Sequence, residues 1–440
     1  MLSYYMKLGL RSLRRNPALT ALMVLTLAIG VAASVSTLTI LHVMSSNPIP
    51  QKSERLFAPR IDNGSLEGYN PADKERNRDD QLSYIDARNL LAGGHGERRT
   101  ALYGVSLAIE PARPGLPVLL ARGVAPTRDF FAMFDVPFRY GQAWSEADDK
   151  AGADVVVLSG AMADKVFGPI DPVGRRLRIL DHDFQVVGVL RPWQPLPKFY
   201  RMIGGPGAFG QEDEIMIPFA SAIRHETTHA GGMNCGSARR GPGWQGLLDS
   251  ECTWIGFFFE TRSGADRAEL QSYLDNYADD QRKLGRLPRK GENELFDVMQ
   301  WLEHLKVVSK DSRLAAWLAF GFLLLCLVNT VGLLLAKFSV RASEVGIRRA
   351  LGASRREIFH QFLTETAVIG LAGGCLGVAL SFGALALIAK SSETLSVVAH
   401  MDLAMLALTF CLSLLAALLA GLLPTWRACQ VTPAIQLKSQ

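Results

Sequence analysis

Four apolar runs divide the chain: Ala18–Met44, Leu314–Ala336, Thr366–Ala389 and Leu403–Leu423 contain no Asp, Glu, Lys or Arg. At roughly 1.5 Å of helix per residue, each is long enough to cross about 30 Å of hydrocarbon, which predicts four transmembrane helices. Between the first and second runs the pattern is mixed. Alternation predicts strands at Ala101–Ile109 and Val118–Gly123; Asp154–Ser159 reads as a buried strand, Ile255–Glu260 as a further strand, and Gly174–Leu180 with Phe184–Leu190 as a hairpin. Helices are expected at Tyr84–Leu91, Ala161–Phe167 and Ala265–Leu284, and a charged loop at Asp73–Asp80. The fold class is therefore an α-helical membrane protein with four transmembrane helices and a large α+β extracytoplasmic domain inserted between the first and second.

Charge orients the helices. Lys7, Arg11, Arg14 and Arg15 precede the first run, and Lys337, Arg341, Arg348, Arg349, Arg355 and Arg356 lie between the second and third. The next loop has only Lys390. Basic residues stay on the cytoplasmic side, so both termini and the 337–358 loop are expected inside and the inserted domain outside. The expected order is a cytoplasmic amphipathic segment at 1–17, a membrane helix at 18–44, the exported domain at 45–313 and a second helix at 314–336. A cytoplasmic loop follows at 337–358, then a helix at 359–389, a short outer loop at 390–402, a fourth helix at 403–423 and a cytoplasmic tail at 424–440. The first run far exceeds the 7–15 apolar residues of a signal peptide and reads as a retained anchor. A hydrophobic content of 48% fits this layout, and the net charge of +5 follows from topology, giving no reason to invoke nucleic acid.

Residues 341–358 carry the most specific pattern. A short basic amphipathic helix is expected, with Val345, Ile347 and Leu351 on one side and Glu344, Arg348 and Arg349 left for a partner or solvent. Gly352 breaks it, and Ser354 with Glu357 forms a capping-box signature for the helix that enters the membrane. The plainer reading is a basic loop that only obeys the positive-inside rule.

This stretch resembles the cytoplasmic loop of FtsX/MacB-type permeases of ABC transporters through Glu344, Gly346, Ile347, Arg348, Arg349, Ala350, Leu351, Gly352, Ala353, Arg355, Arg356 and Ile358. The run from Val157 to Arg178 and the segment Val186–Leu190 are similar to the periplasmic core of MacB-type members. Pro424, Ala428, Pro433 and Leu437 fit the family's ending, whereas Gln436 departs from it. The resemblance implies a periplasmic domain with a proximal part at 46–119 and 250–312 and an inserted lobe at about 120–220, in a bacterial inner-membrane protein. It also implies that Glu344, Val345, Gly346, Ile347, Arg348, Arg349, Leu351 and Gly352 dock on a separate ATP-binding subunit, which holds ATP and Mg²⁺. A second permease copy or a related chain, and a periplasmic adaptor with an outer-membrane duct, are implied partners beside membrane lipid. Expected functions are efflux of an antibiotic, peptide or other amphiphile, or peptide sensing or lipoprotein extraction by the same movement. The glycine- and proline-rich stretch 191–250 is longer than the family pattern.

Candidate chemistry is sparse. No G-x-x-x-x-G-K-[ST] cradle occurs, so the chain is expected to be non-catalytic and to bind no nucleotide or other cofactor itself. His225-Glu226-Thr-Thr-His229 matches H-E-x-x-H, which on a helix places two imidazoles on zinc and makes a membrane-anchored zinc peptidase the rival reading. Its flanking threonines and glycines make a poor catalytic helix, and Cys235 stands where the longer motif needs a third histidine, so a surface helix end is preferred. Cys235 and Cys252 are candidates for a disulfide. Gly370, Gly373, Gly374 and Gly377 form overlapping G-x-x-x-G patterns for close helix packing, within the chain or across a dimer. Glu365, near the start of the third run, is expected to stay hydrated or to pair with Arg356 or Lys337.

Overall fold

The computed structural model describes residues 16–64, 66, 69–70, 78–111, 115, 117–201, 207–235, 241–391 and 397, together with residues 407, 411, 414, 415, 418, 419, 421, 422 and 424–426. In chain order the elements begin with α1 (Pro17–Ser45), β1 (Leu56–Arg60), β2 (Leu82–Ser83), α2 (Tyr84–Ala92), β3 (Arg98–Glu110), β4 (Leu119–Pro126), α3 (Asp129–Met133) and β5 (Phe138–Gly141). They continue with α4 (Glu146–Ala151), β6 (Val155–Leu158), α5 (Gly160–Phe167), β7 (Arg176–Ile179), β8 (His182–Leu190), β9 (Ile215–Met216), α6 (Phe219–Arg224), α7 (Gly243–Leu248) and β10 (Thr253–Glu260). After α8 (Arg267–Lys283), β11 (Glu294–Asp297) and α9 (Val298–His304) come α10 (Lys310–Val340), α11 (Ala342–Ala350) and α12 (Arg355–Ser391). Two compact units result, one of residues 46–307 and one of the rest.

The 46–307 unit is α+β. Its strands run in the order β11-β1-β10-β3-β4-β9-β6-β8-β5, with β2 and β7 pairing to the side. Strand alternation explains how one sheet serves two cores. Tyr103, Val105, Leu107 and Ile109 of β3, with Phe257 and Phe259 of β10 and Val156 and Leu158 of β6, face a core covered by α2, α5 and α8. Leu102, Phe258, Val155 and Val157, one position out of step, face a second core with the α3 aromatics Phe130 and Phe131 and with Trp301 of α9. Segments 46–119/250–312 and 120–220 thus contribute strands to one continuous sheet, joined where β3 pairs with β4 from Leu102↔Pro126 to Ile109↔Leu119.

Cys235 and Cys252 are disulfide-bonded. Beside them Asn234 and Thr253 exchange backbone hydrogen bonds of 3.0 and 2.8 Å. Closing a loop of 17 positions restricts the unfolded chain by about 3 kcal/mol. Cys235→Ser/Cys252→Ser is expected to lower the unfolding free energy of the exported domain by about that amount, read by thermal melts without reductant. An unchanged melting temperature would show that the 3 kcal/mol estimate from loop closure does not hold here.

In the other unit three helices, α1, α10 and α12, are long and apolar enough to cross a membrane. The expected fourth span, 403–423, lies largely outside the described residues, although those described between Ala407 and Trp426 are helical. The small residues of α1 and α12 permit close packing: a Cβ on Gly373 would stand 2.9 Å from Leu27 Cδ2, and one on Gly377 would stand 3.0 Å from Val31 Cγ1. These two glycines therefore serve contact within the chain. Gly370 and Gly374 are buried as well.

Candidate functional site

The loop between the second and third membrane helices folds as α11, stopped at Gly352, whose φ of +101° suits glycine. Ser354 and Glu357 then build a reciprocal cap on α12: Ser354 N–H donates to Glu357 Oε2 at 2.9 Å and Glu357 N–H to Ser354 Oγ at 3.2 Å. The expected apolar face of α11 divides. Val345 is buried with Met23, Leu334, Phe338, Ile358, Phe362 and Ile369, whereas Ile347 is 59% and Leu351 83% exposed. The reason is geometric, since two residues apart on a helix is about 200° of rotation and Val345 and Ile347 cannot share a side. Ile347 and Leu351, four apart, do share one. Exposed Arg348 bonds to Glu344 at 2.6 Å and to Gln361 of α12 at 3.1 Å, while Arg349 is half-buried.

The root of α11 is fixed by an ion triad. Glu365 of α12, fully buried, stands 2.5 Å from Lys337 Nζ and 3.3 Å from Arg341 Nη1. Lys337 lies in the last turn of α10 and Arg341 joins α10 to α11, so one carboxylate holds three helices at their meeting point. Arg341 was not an expected partner. Its signal in the sequence is the spacing from Lys337, one helical turn on the same face.

The H-E-x-x-H segment does not form a metal site. Helix α6 ends at Arg224, and Glu226 has a φ of +50°, so no helical turn stacks His225 over His229. His225 Nε2 bonds to Asp154 Oδ1 at 2.7 Å, and its ring lies 4.1 Å from that of His182. His229 pairs across a β-bridge with Val105, its ring 5.8 Å from Trp254. Burial pushes the Asp154 carboxyl up, but His225 and Arg224 together hold it below its ordinary range. The segment is a helix end with Arg224, Glu226 and Thr228 exposed at the surface, while the His225 side chain turns inward and is only 6% exposed. Among the described residues no three His, Cys, Asp or Glu side chains are grouped to hold a metal ion.

These features define an integral membrane protein that exposes a charged, apolar-tipped helix at the junction of its membrane helices and carries an α+β domain between the first two. Residues 20–277 match the MacB-like periplasmic core domain and residues 316–433 the FtsX-like permease C-terminal domain. The chain belongs to the FtsX/MacB-type permease family. It is 24% identical over 453 aligned positions to the macrolide export ATP-binding/permease protein MacB of Bdellovibrio bacteriovorus, covering 98% of this chain and 61% of that protein. With the pyoverdine export ATP-binding/permease protein PvdT of Pseudomonas syringae pv. tomato it shares 27% over 316 positions, 71% of this chain and 42% of that one. The periplasmic region of MacB from Actinobacillus actinomycetemcomitans aligns with 59% of this chain and 95% of its own length, at 14% identity and a TM-score of 0.36. The chain thus spans about three fifths or less of the length of these curated relatives.

Proposed function

We propose that the chain is the permease part of a MacB-like export system of the bacterial inner membrane, moved by ATP hydrolysis on a separate ATP-binding subunit. The observation that carries the reading is the exposed Ile347/Leu351 pair flanked by Arg348, on a helix whose opposite side is packed into the membrane helices. Exposed apolar residues rimmed by charge are what a docking face needs. A displaced α11 cannot leave Val345 and Arg341 behind, so a push reaches α10 and α12 through the apolar cluster and the ion triad. Helices α1 and α10, the two chain connections to residues 46–307, carry the movement outward. A membrane part built from so few helices works as a pair, so a second copy or a related chain is part of the proposal. The relatives named for export of macrolides and of pyoverdine support outward movement of an antibiotic, peptide or other amphiphile, with an adaptor and outer-membrane duct as further partners.

The test is ATPase activity of the permease co-purified with its ATP-binding partner. Arg348→Glu/Arg349→Glu is expected to lose partner co-purification and at least tenfold of the coupled activity, since a reversed rim charge costs several kcal/mol. Wild-type behaviour of that variant rejects α11 as the docking element.

A further inference from the structure

We propose that the exported domain holds a carboxylate-binding site in the cavity between β3, β10 and the segments 199–201 and 229–232. The cavity measures about 40 Å³ and is lined by Tyr103, Gly104, Arg201, Ala230, Trp254 and Trp301 among others. At about 10–15 Å³ for each water, it has room for roughly three waters, the size of a carboxylate group and not of a bulky ligand.

Two of its walls carry hydrogen-bond donors with no acceptor among the described residues. Arg201 is 7% exposed and Trp254 1%, and neither Arg201 Nε nor Trp254 Nε1 has a partner there. Guanidinium and indole N–H groups only donate, and a buried donor without an acceptor is costly enough that native structures rarely keep one. Two such donors on one cavity call for an acceptor, and the local charge makes it an anion. Arg201 and Lys198 are both paired to Asp213, which also accepts from Tyr200 at 2.8 Å, so two buried cations share one carboxylate. The next acid, Glu212, accepts from the backbone N–H of Trp193 and acts through its charge on Lys198, which leaves Asp213 as the paired carboxylate of Arg201. Asp80 also lines the cavity, where it pairs with the Arg60 guanidinium at 2.7 Å and hydrogen-bonds with His304 Nε2 at 2.8 Å. Gly104 makes the cradle possible: a Cβ there would lie against the Ala230 carbonyl oxygen and 3.0 Å from Arg201 Nη2. With no Cβ at residue 104, the Nε and Nη2 side of the guanidinium stays clear of a side chain on β3, and such a two-donor edge suits a planar anion. Aromatic neighbours suit the apolar body behind such a group.

The inference stands apart from the transport reading, because binding needs neither ATP nor a partner. The experiment uses the full chain in detergent and isothermal titration with N-acetylglycine, an N-acetylated tripeptide with a free C-terminus, and the amide of each. Both acids are expected to bind at least about tenfold more tightly than their amides. Tighter binding of the tripeptide acid identifies a peptide C-terminus as the source, and equal binding a small organic acid. Trp254→Phe keeps an aromatic ring and Arg201→Lys keeps a charge for Asp213, while each removes an orphan donor, so both are expected to weaken acid binding about tenfold in chains that still melt cooperatively. Equal affinity for acids and amides, no binding of either acid, or wild-type affinity in folded Trp254→Phe overturns the proposal.

Discussion

Glu365→Ala is expected to destabilise the membrane unit by about 3–5 kcal/mol, because it strands Lys337 without a counter-charge. The Lys337 side chain is fully buried and Arg341 is 12% exposed at the side chain, so water cannot take over the role of the lost carboxylate. Taking a charge out of water is repaid only by close partners, and for Lys337 that partner is Glu365 at 2.5 Å. Glu365→Gln keeps shape and an acceptor and is expected to recover part of the loss. Glu365→Leu/Lys337→Met removes the two fully buried charges, leaves only the partly exposed Arg341 of the triad, and is expected to be more stable than Glu365→Ala. Unfolding of the purified chain in mixed micelles, followed by helical circular dichroism, measures each. A Glu365→Ala chain as stable as wild type would mean that Lys337 reaches water by a route this packing does not provide.

Asp213→Ala is the corresponding change in the exported domain, with an expected cost of about 3–5 kcal/mol at neutral pH. Asp213 holds the buried side chains of Lys198, Tyr200 and Arg201 together, and its loss leaves two cations facing each other. The pH dependence has a definite sign. Burial raises the Asp213 carboxyl, but Lys198 and Arg201 overcome this and hold it below its ordinary value of 3.8. A carboxyl whose folded value is depressed contributes stability above its unfolded value and loses it as pH falls through the folded one. The gap between wild type and variant is thus expected to be full at neutral pH and to close in acid below about 3.8. Thermal melts across that range decide the matter; a gap that persists unchanged at pH 2 would assign the cost to lost packing instead of charge.

The contrast between these two clusters shows what the sequence makes legible. The apolar runs, the strand alternation of β3, the short apolar runs of β6 and β10, the stop at Gly352 and the Ser354 cap all depend on neighbours within a few positions, and local pattern reads them. Glu365 is conspicuous because an acid beside an apolar run is rare, and Lys337 stands out for the same reason. The Asp213 cluster gives no such signal: Lys198, Arg201 and Asp213 sit in a polar, glycine-rich stretch that looks solvated, and only tertiary packing buries them. Likewise His225 turns inward because Asp154 awaits it 71 positions earlier, which no spacing announces. On α11 the pattern showed which residues are apolar but not how they divide, since Val345 is claimed by α1, α10 and α12 while Ile347 and Leu351 remain outside.

The pairing of β1 with β11 gives the exported domain a mechanical grain. The chain enters the domain shortly before β1 and leaves it shortly after β11, and the two strands run antiparallel with Phe57 opposite Asp297 and Arg60 opposite Glu294. Entry and exit therefore lie at the same end of one ladder. Tension that separates the two connections opens this ladder like a zipper, one rung at a time, and meets little resistance. A pull on both together loads no rung and drags the whole sheet as one body. The domain yields when its two tethers part and is stiff when they travel as one.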